Sequence, residues 1–191
     1  TAMLDKLRGM FAFTLWDSRK RALLLARDPM GIKPLYYADD GNTMRAASQV
    51  KALLKAPVDT APEPAGHAGF FLWGSVPGPW TLYRGIRSLP PGHFMWIGEN
   101  GSEGPRPYCL IRDILAQAAA QPARGSEQDA LDHVRAALQA SMKAHLVADV
   151  PVGIFLSAGL DSAMLTSLTA AVGVQPRTIT LGFAEYAGTD V

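Results

Sequence analysis

Pro151-Val152-Gly153-Ile154-Phe155-Leu156-Ser157-Ala158-Gly159-Leu160-Asp161-Ser162 reads as a strand, a small-residue turn and the start of a helix. Residues 152–156 form a short apolar run, the pattern expected of a strand buried on both faces. Ser157-Ala158-Gly159 turns the chain. Asp161 and Ser162 then open an apolar-periodic segment (Ala163, Met164, Leu165, Leu168, Ala171, Val172) that predicts a helix. A strand that turns straight into a helix presents free backbone N–H groups from the first helical turn, where the helix dipole favours negative charge. The corner is a candidate anion site.

Two common motifs are absent from it. A Walker-type loop carries a lysine after its second glycine, and no lysine stands here. A nucleophile elbow has glycine two residues before its serine, and Phe155 occupies that place. Upstream, Ser126 with Asp129 three residues later reads as an acidic capping box. Leu131, Val134, Leu138, Met142 and Leu146 follow at spacings of three and four, the stripe of an amphipathic helix. Downstream, residues 177–183 read as a second strand. Helix, strand, helix, strand is the start of a doubly wound parallel sheet, and two strands do not complete one.

The N-terminal part has a different pattern. Residues 10–16 and 21–26 are apolar and β-rich, separated by the polar turn Asp17-Ser18-Arg19-Lys20, which predicts a hairpin. Arg27-Asp28-Pro29-Met30-Gly31-Ile32-Lys33-Pro34 forms a rigid loop set by two prolines and a glycine, and the plain reading of Arg27 and Asp28 is an ion pair within it. Further strands are expected at 35–38, 43–48 and 94–97. Helices are expected over 48–54 and 64–73, the second supplying Phe70, Phe71 and Trp73 to the core. An alanine-rich patch then ends in Pro122-Ala123-Arg124-Gly125, which reads as a linker. The organisation expected is 1–108, a linker over 109–125, and 126–191.

A chain of 191 residues has room for one large or two modest domains. Apolar content of 48% with 18% charge describes a globular protein, and a net charge of +1 makes no electrostatic case for nucleic acid or an anionic membrane. No apolar run reaches the length of a membrane span, and the N-terminus has neither signal-peptide nor transit-peptide character. The single cysteine, Cys109, excludes an internal disulfide and fits a reducing cytoplasm. The four histidines are scattered without metal-ligand spacing, and His133 and His145 read as solvated. The chain opens without methionine and stops after a strand-like segment, so it reads as truncated at both ends.

Four segments, in this order, resemble glutamine-hydrolysing asparagine synthetase: Gly9-Met10-Phe11-Ala12-Phe13, the run from Arg27 to Tyr37, Leu89-Pro90-Pro91-Gly92-His93, and the run from Val150 to Ser162. The second also resembles other class II glutamine amidotransferases. In the last, Ser157-Ala158-Gly159-Leu160-Asp161-Ser162 resembles the S-G-G-[LI]-D-S pyrophosphate loop of ATP pyrophosphatases, with Ala158 in place of a glycine. If that position demands positive φ or close approach of a phosphate, the methyl group is a hindrance.

The resemblance implies an α+β unit followed by an α/β unit. The first is the C-terminal half of an N-terminal-nucleophile (Ntn) glutaminase, an αββα sandwich. The second is the start of a doubly wound, adenine nucleotide α-hydrolase-like synthetase domain. The activity implied is that of a cytoplasmic carbon–nitrogen ligase of asparagine biosynthesis. Glutamine-derived ammonia meets a β-aspartyl-AMP intermediate, giving asparagine, glutamate, AMP and pyrophosphate. Glutamine, aspartate and ATP are the implied substrates and Mg2+ the implied cofactor, with no nucleic acid or membrane partner and with a homodimer left open.

By the same resemblance, Leu156, Ser157, Ala158, Gly159, Leu160, Asp161, Ser162 and Leu181 bind ATP or pyrophosphate, and Asp161 holds the metal. Met10 and Ile32 line an ammonia tunnel, their plainer reading being core residues. The nucleophilic cysteine falls upstream of Thr1, and Cys109 does not replace it, because the mechanism uses the α-amino group of the first residue as base. No catalytic residue is assigned within the chain, and by itself it is expected to be inactive. Two alternatives stay open: a relative that closes a different amide without glutaminase activity, of the β-lactam synthetase or peptide cyclase type, and a non-catalytic scaffold.

Overall fold

Two apolar runs build the first hairpin. Strands β1 (Ala12–Asp17) and β2 (Ala22–Arg27) pair antiparallel from Ala12↔Arg27 to Asp17↔Ala22. Asp17 Oδ1 accepts the N–H groups of Arg19 and Lys20, and Arg21 completes the turn in the left-handed region at φ 49°. The computed structural model describes residues 2–122 and 124–182, in two units, Thr1–Pro122 and Ala123–Val191.

The first unit continues with β3 (Tyr36–Asp39), β4 (Met44–Ala47), α1 (Val50–Leu53), α2 (Pro64–Trp73), β5 (Arg87–Ser88), β6 (His93–Gly98), β7 (Gly101–Ser102), β8 (Arg106–Pro107) and α3 (Ile111–Ala120). One antiparallel sheet has the order β1-β2-β6-β7, with β8 also on β6; the other has the order β4-β3-β5. The period of two sends successive residues of β2 to opposite faces. Leu24 and Ala26 join Leu4 and Phe94 on one side, while Leu25 joins Leu35, Leu89 and Met95 on the other. Tyr37, Met44 and Ala46 pack on that second cluster, so the two sheets meet face to face through it. Leu53 of α1 closes the far side of the smaller sheet with Ala38 and Ile86.

The turn between β3 and β4 carries Asp40, which accepts from Arg45 Nη1 at 2.7 Å and from the N–H groups of Asn42 and Thr43 at 2.9 and 2.7 Å. The Arg45 hydrogen bond, helped by those two N–H groups, holds its carboxyl at about 2. Its unfolded value is about 3.9, so its contribution to stability is full above about pH 4 and is lost as the pH falls towards about 2. Asp40→Asn is therefore expected to unfold at lower urea than the parent at neutral pH, with the gap narrowing as the pH drops through that window. A gap that stays constant into acid would contradict this.

Helix α2 starts and stops where the sequence predicts, with Pro64 in its first turn, Glu63 accepting the Ala65 N–H, and Gly74 at φ 70° ending it. Its facing differs from expectation. Phe70 is exposed, and Phe71 and Trp73 are 83% and 68% exposed rather than in the core. The buried residues are Gly66 and Gly69, where an added methyl group would overlap the Thr81 carbonyl and the Pro77 ring respectively. So close an approach of the helix admits only glycine, and the bulky neighbours turn outward. The stretch expected as a linker, 109–125, contains α3, whose leucine and alanines favour helix and none of whose residues is buried.

The second unit comprises α4 (Glu127–His145), β9 (Ile154–Phe155), α5 (Leu160–Ala171) and β10 (Thr178–Ile179). α4 opens on the full capping box: Ser126 Oγ accepts the Asp129 N–H at 3.2 Å, and Asp129 Oδ2 accepts the Ser126 N–H at 2.9 Å. β9 and β10 run parallel, with Thr178↔Ile154 and Ile179↔Phe155. Met142 of α4 and Thr169 of α5 are the buried contact between the helices, the threonine hydroxyl donating to the Leu165 carbonyl at 2.8 Å. β9 is not buried on both faces as expected. Ile154 faces α4 and α5, whereas Phe155, on the opposite face, is exposed among the described residues. Leu131 and Val134, in the first half of the α4 stripe, are exposed too. Of the strand expected over 177–183, Phe183 lies outside the described residues. Among the described residues no helix is long and apolar enough to cross a membrane.

Candidate functional site

Gly159, four residues after β9, is the N-cap of α5, with extended backbone angles of φ −72° and ψ 146°. Ser162, in the first turn, folds its hydroxyl back over the connecting loop. That hydroxyl accepts the Ser157 N–H at 3.1 Å and lies 3.0 Å from the carbonyl oxygens of Ser157 and Gly159, to either of which it can donate. Ser157 Oγ stands 3.1 Å from Ser162 Oγ and accepts the Gly159 N–H at 3.2 Å. Two hydroxyls thus close the loop on itself. Among the described residues no side chain caps α5, which leaves the N–H groups of its first turn to a ligand or to solvent.

Ala158 is compatible with this loop. Arg21 is the one non-glycine residue at positive φ among the described residues, so the backbone at position 158 does not demand glycine. Leu156, half-buried, donates its N–H to the Ile179 carbonyl at 2.9 Å, just past the end of β9. Leu181 is exposed two residues past β10. Both follow the C-terminal ends of parallel strands, the edge on which α5 starts and along which ligands bind in open parallel sheets. Leu156 to Ser162 and Leu181 are therefore brought to one edge.

Asp161 lies exposed in the first turn of α5 and, among the described residues, makes no ion pair or side-chain hydrogen bond. No cluster of three His, Cys, Asp or Glu residues able to hold a metal occurs among the described residues. Mg2+ keeps several waters and takes one or two carboxylates together with substrate phosphates. A free aspartate beside an anion-attracting helix end fits that donor set.

In the first unit, the loop 27–34 is not built on an Arg27–Asp28 ion pair. Arg27 donates from Nε to the Lys33 carbonyl at 2.8 Å and from Nη2 to the Gly31 carbonyl at 2.7 Å. Its Nη1 reaches Ser88 Oγ at 3.0 Å and the Leu89 carbonyl at 2.7 Å. Asp28, fully buried, accepts the N–H groups of Met30 and Ile32 on Oδ1 at 3.1 and 3.0 Å, and that of Lys33 on Oδ2 at 3.0 Å. Each charge satisfies backbone groups that the prolines and Gly31 keep out of any sheet ladder. Burial pushes the Asp28 carboxyl up, but the N–H groups of Lys33, Ile32 and Met30 outweigh it and hold the carboxyl below its usual range. Tyr108 donates its hydroxyl to the Arg27 carbonyl at 2.8 Å, and burial first, then Cys109 and Asp28, push its pKa up to about 12.

Met10 and Ile32, whose plainer reading was core, are 41% and 53% exposed. Met10 borders a cleft of about 370 Å³ that it shares with Phe13, Lys33 and Pro34. Sequence reading alone missed Ser88 and Tyr108 as supports of the loop, since they lie 61 and 81 residues from Arg27. The role of Asp28 had a local signal: an aspartate just before a proline–glycine turn commonly binds the N–H groups that follow it.

Residues 1–109 match the glutamine amidotransferase domain family, and residues 133–191 match the asparagine synthase family. The chain thus belongs to the glutamine amidotransferase domain family, as an amidotransferase-type unit followed by the start of a synthetase unit. Glutamine-hydrolysing asparagine synthetase 1 of Bacillus subtilis strain 168 is 33% identical over 187 residues, covering 98% of this chain and 28% of its own length. Glutamine-hydrolysing asparagine synthetase B of Escherichia coli K12 is 34% identical over 172 residues, covering 87% of this chain and 24% of its own length. A protein of Mycobacterium tuberculosis strain H37Rv, provisionally assigned the same activity, is 38% identical over 185 residues, covering 94% of this chain and 28% of its own length. The chain spans about a quarter of the length of these curated relatives. A solved structure of the allosteric regulatory enzyme of purine biosynthesis aligns with 100% of the chain and 36% of its own at 16% identity, with a TM-score of 0.36, too low to bear on the fold.

Proposed function

We propose that this chain is part of a glutamine-hydrolysing asparagine synthetase. The observation that carries the reading is the β9–α5 corner, with an uncapped helix start and a free Asp161, on one chain with an amidotransferase-type unit. Residues 1–108, within the first unit, are read as the C-terminal half of an Ntn αββα sandwich, supported by two antiparallel sheets packed face to face with α1 outside the smaller one. Residues 126–191, within the second unit, are read as the start of a doubly wound sheet, supported by parallel β9 and β10 with α4 and α5. Residues 109–125 join them.

In this reading glutamine is hydrolysed to glutamate and ammonia. Aspartate and ATP give β-aspartyl-AMP and pyrophosphate, and ammonia displaces AMP to form asparagine. First-turn N–H groups of α5 and the hydroxyls of Ser157 and Ser162 receive the pyrophosphate oxygens, with Ala158, Gly159 and Leu160 forming the turn beneath them. Leu156 and Leu181 flank the adenosine, and Asp161 would hold Mg2+. When bound, that ion supplies positive charge against the leaving pyrophosphate. Met10 and Ile32 line the path of ammonia, and an apolar wall offers it no proton. The cysteine that attacks glutamine is assigned to no residue of this chain. A cytoplasmic location is in keeping with the single, half-buried Cys109.

The test is to assay the full-length parent protein with glutamine, aspartate, ATP and magnesium salt. Asparagine, glutamate, AMP and pyrophosphate should appear in equal amounts. Pyrophosphate release without glutamine hydrolysis would point instead to an enzyme closing another amide. In the same parent, Ala158→Gly is expected to leave the KM for ATP and the rate of pyrophosphate release within about twofold, since alanine is unstrained there and glycine adds chain entropy. A gain of about tenfold would mean that the methyl group crowds the phosphates.

A further inference from the structure

Met30 and Ile32 are exposed, so burying them is not what the loop 27–34 is built for. Its backbone is nonetheless held firmly, and Asp28 is the common anchor. The carboxylate binds the N–H groups of Met30, Ile32 and Lys33. The Asp28 N–H donates to the Phe11 carbonyl at 2.8 Å, next to Met10. The Asp28 carbonyl accepts the N–H groups of Gly31 at 3.0 Å and Gly92 at 2.9 Å. One buried residue therefore ties the segment leading into β1 to the loop that carries Ile32. A rigid mount for exposed apolar side chains matters when something outside the mount depends on their position.

We propose that Asp28 is a positioning residue that fixes Ile32 relative to Met10 and so sets the width of the ammonia path. This rests on the reading of Met10 and Ile32 as the wall of that path. A wall that passes a molecule the size of water and holds back bulk solvent tolerates displacements well under an ångström or so. Asp28→Asn keeps the shape but sets an NH2 group against at least one of the N–H groups the carboxylate accepted. The loop should loosen without collapse.

The experiment uses the full-length parent with three readouts: glutamate released from glutamine, asparagine formed from saturating ammonium salt, and asparagine formed per glutamate when glutamine is the donor. For Asp28→Asn the first two should stay within about twofold of the parent, while the coupling ratio falls by about threefold or more. Asp28→Ser, which keeps one short oxygen, is the second variant and should behave alike. A merely structural role would lower all three together, and that result would overturn the proposal, as would failure of both variants to fold. Ile32→Ser separates the two layers of inference. If it lowers the coupling ratio and the Asp28 variants do not, the wall stands and the positioning role falls. If it leaves the ratio intact, the wall reading falls and the positioning role with it. A parent that makes no asparagine from glutamine would overturn the functional reading itself, and this proposal with it.

Discussion

Asp161→Asn in the full-length parent enzyme is expected to lower aspartate-dependent pyrophosphate release by about a hundredfold or more, comparable to removing one oxyanion-hole donor. Glutamine hydrolysis should continue. The substitution keeps the shape of a side chain that is exposed in the first turn of α5 and bonded to no other described side chain. What it removes is the negative charge. An acid in the first turn also steadies the helix dipole, but that is worth only about 0.3–1 kcal/mol at an exposed position. A hundredfold rate loss corresponds to about 2.7 kcal/mol on the barrier, beyond anything the dipole explains. The loss should fall on kcat rather than on ATP affinity alone, because charge builds on the pyrophosphate as it departs. Unaltered pyrophosphate release would remove Asp161 from the site, and with it the main support for a ligase.

Gly92→Ala should be the most damaging small substitution in the first unit, costing about 3 kcal/mol or more. Two penalties coincide at this residue. Its φ of 66° lies in the left-handed region, which costs a non-glycine residue about 1–2 kcal/mol. An added methyl group would also overlap the Cys109 carbonyl, which is backbone and cannot swing aside. Moving Gly92 disturbs its neighbours, since its carbonyl accepts the N–H groups of Tyr108 and Cys109 at 2.9 and 3.2 Å and its N–H donates to Asp28. Gly41→Ala is the control: φ is 85° there, with nothing within 4 Å of the added carbon. Urea unfolding followed by tryptophan fluorescence reads this unit alone, because all four tryptophans lie within Thr1–Pro122. Equal losses for Gly92→Ala and Gly41→Ala would show that the close approach to Cys109 carries no energy.

Local chemistry was legible in the chain, and long-range contact was not. The capping box of Ser126 and Asp129 was readable because its partners stand three residues apart. So were the bounds of α2, since proline favours the first turn of a helix and glycine its end. The β9–α5 corner was readable as a strand, a small turn and a helix start, although β9 is shorter and more exposed than its apolar run suggests. The facing of α2 was not readable. Phe70, Phe71 and Trp73 look like core by hydrophobicity, yet Gly66 and Gly69 let the helix approach residues 77–82 closely on their side alone. Adjacent opposite charges at Arg27 and Asp28 suggested an ion pair, but both found backbone partners, one of them, the Leu89 carbonyl, 62 residues further on.

By itself the sequence determined the hairpin turn, the Ser126 cap, the starts of α2, α4 and α5 and the candidate anion loop, because each depends on residues within about one turn or one hairpin of one another. Only the tertiary structure decided which side of α2 is buried, what Arg27 and Asp28 hold, and that Met10 and Ile32 stand outside the core. Burial and hydrogen bonding depend on which groups arrive from elsewhere in the chain, and an orphaned backbone N–H or carbonyl takes the nearest charge it can reach, whatever stands next to it in sequence.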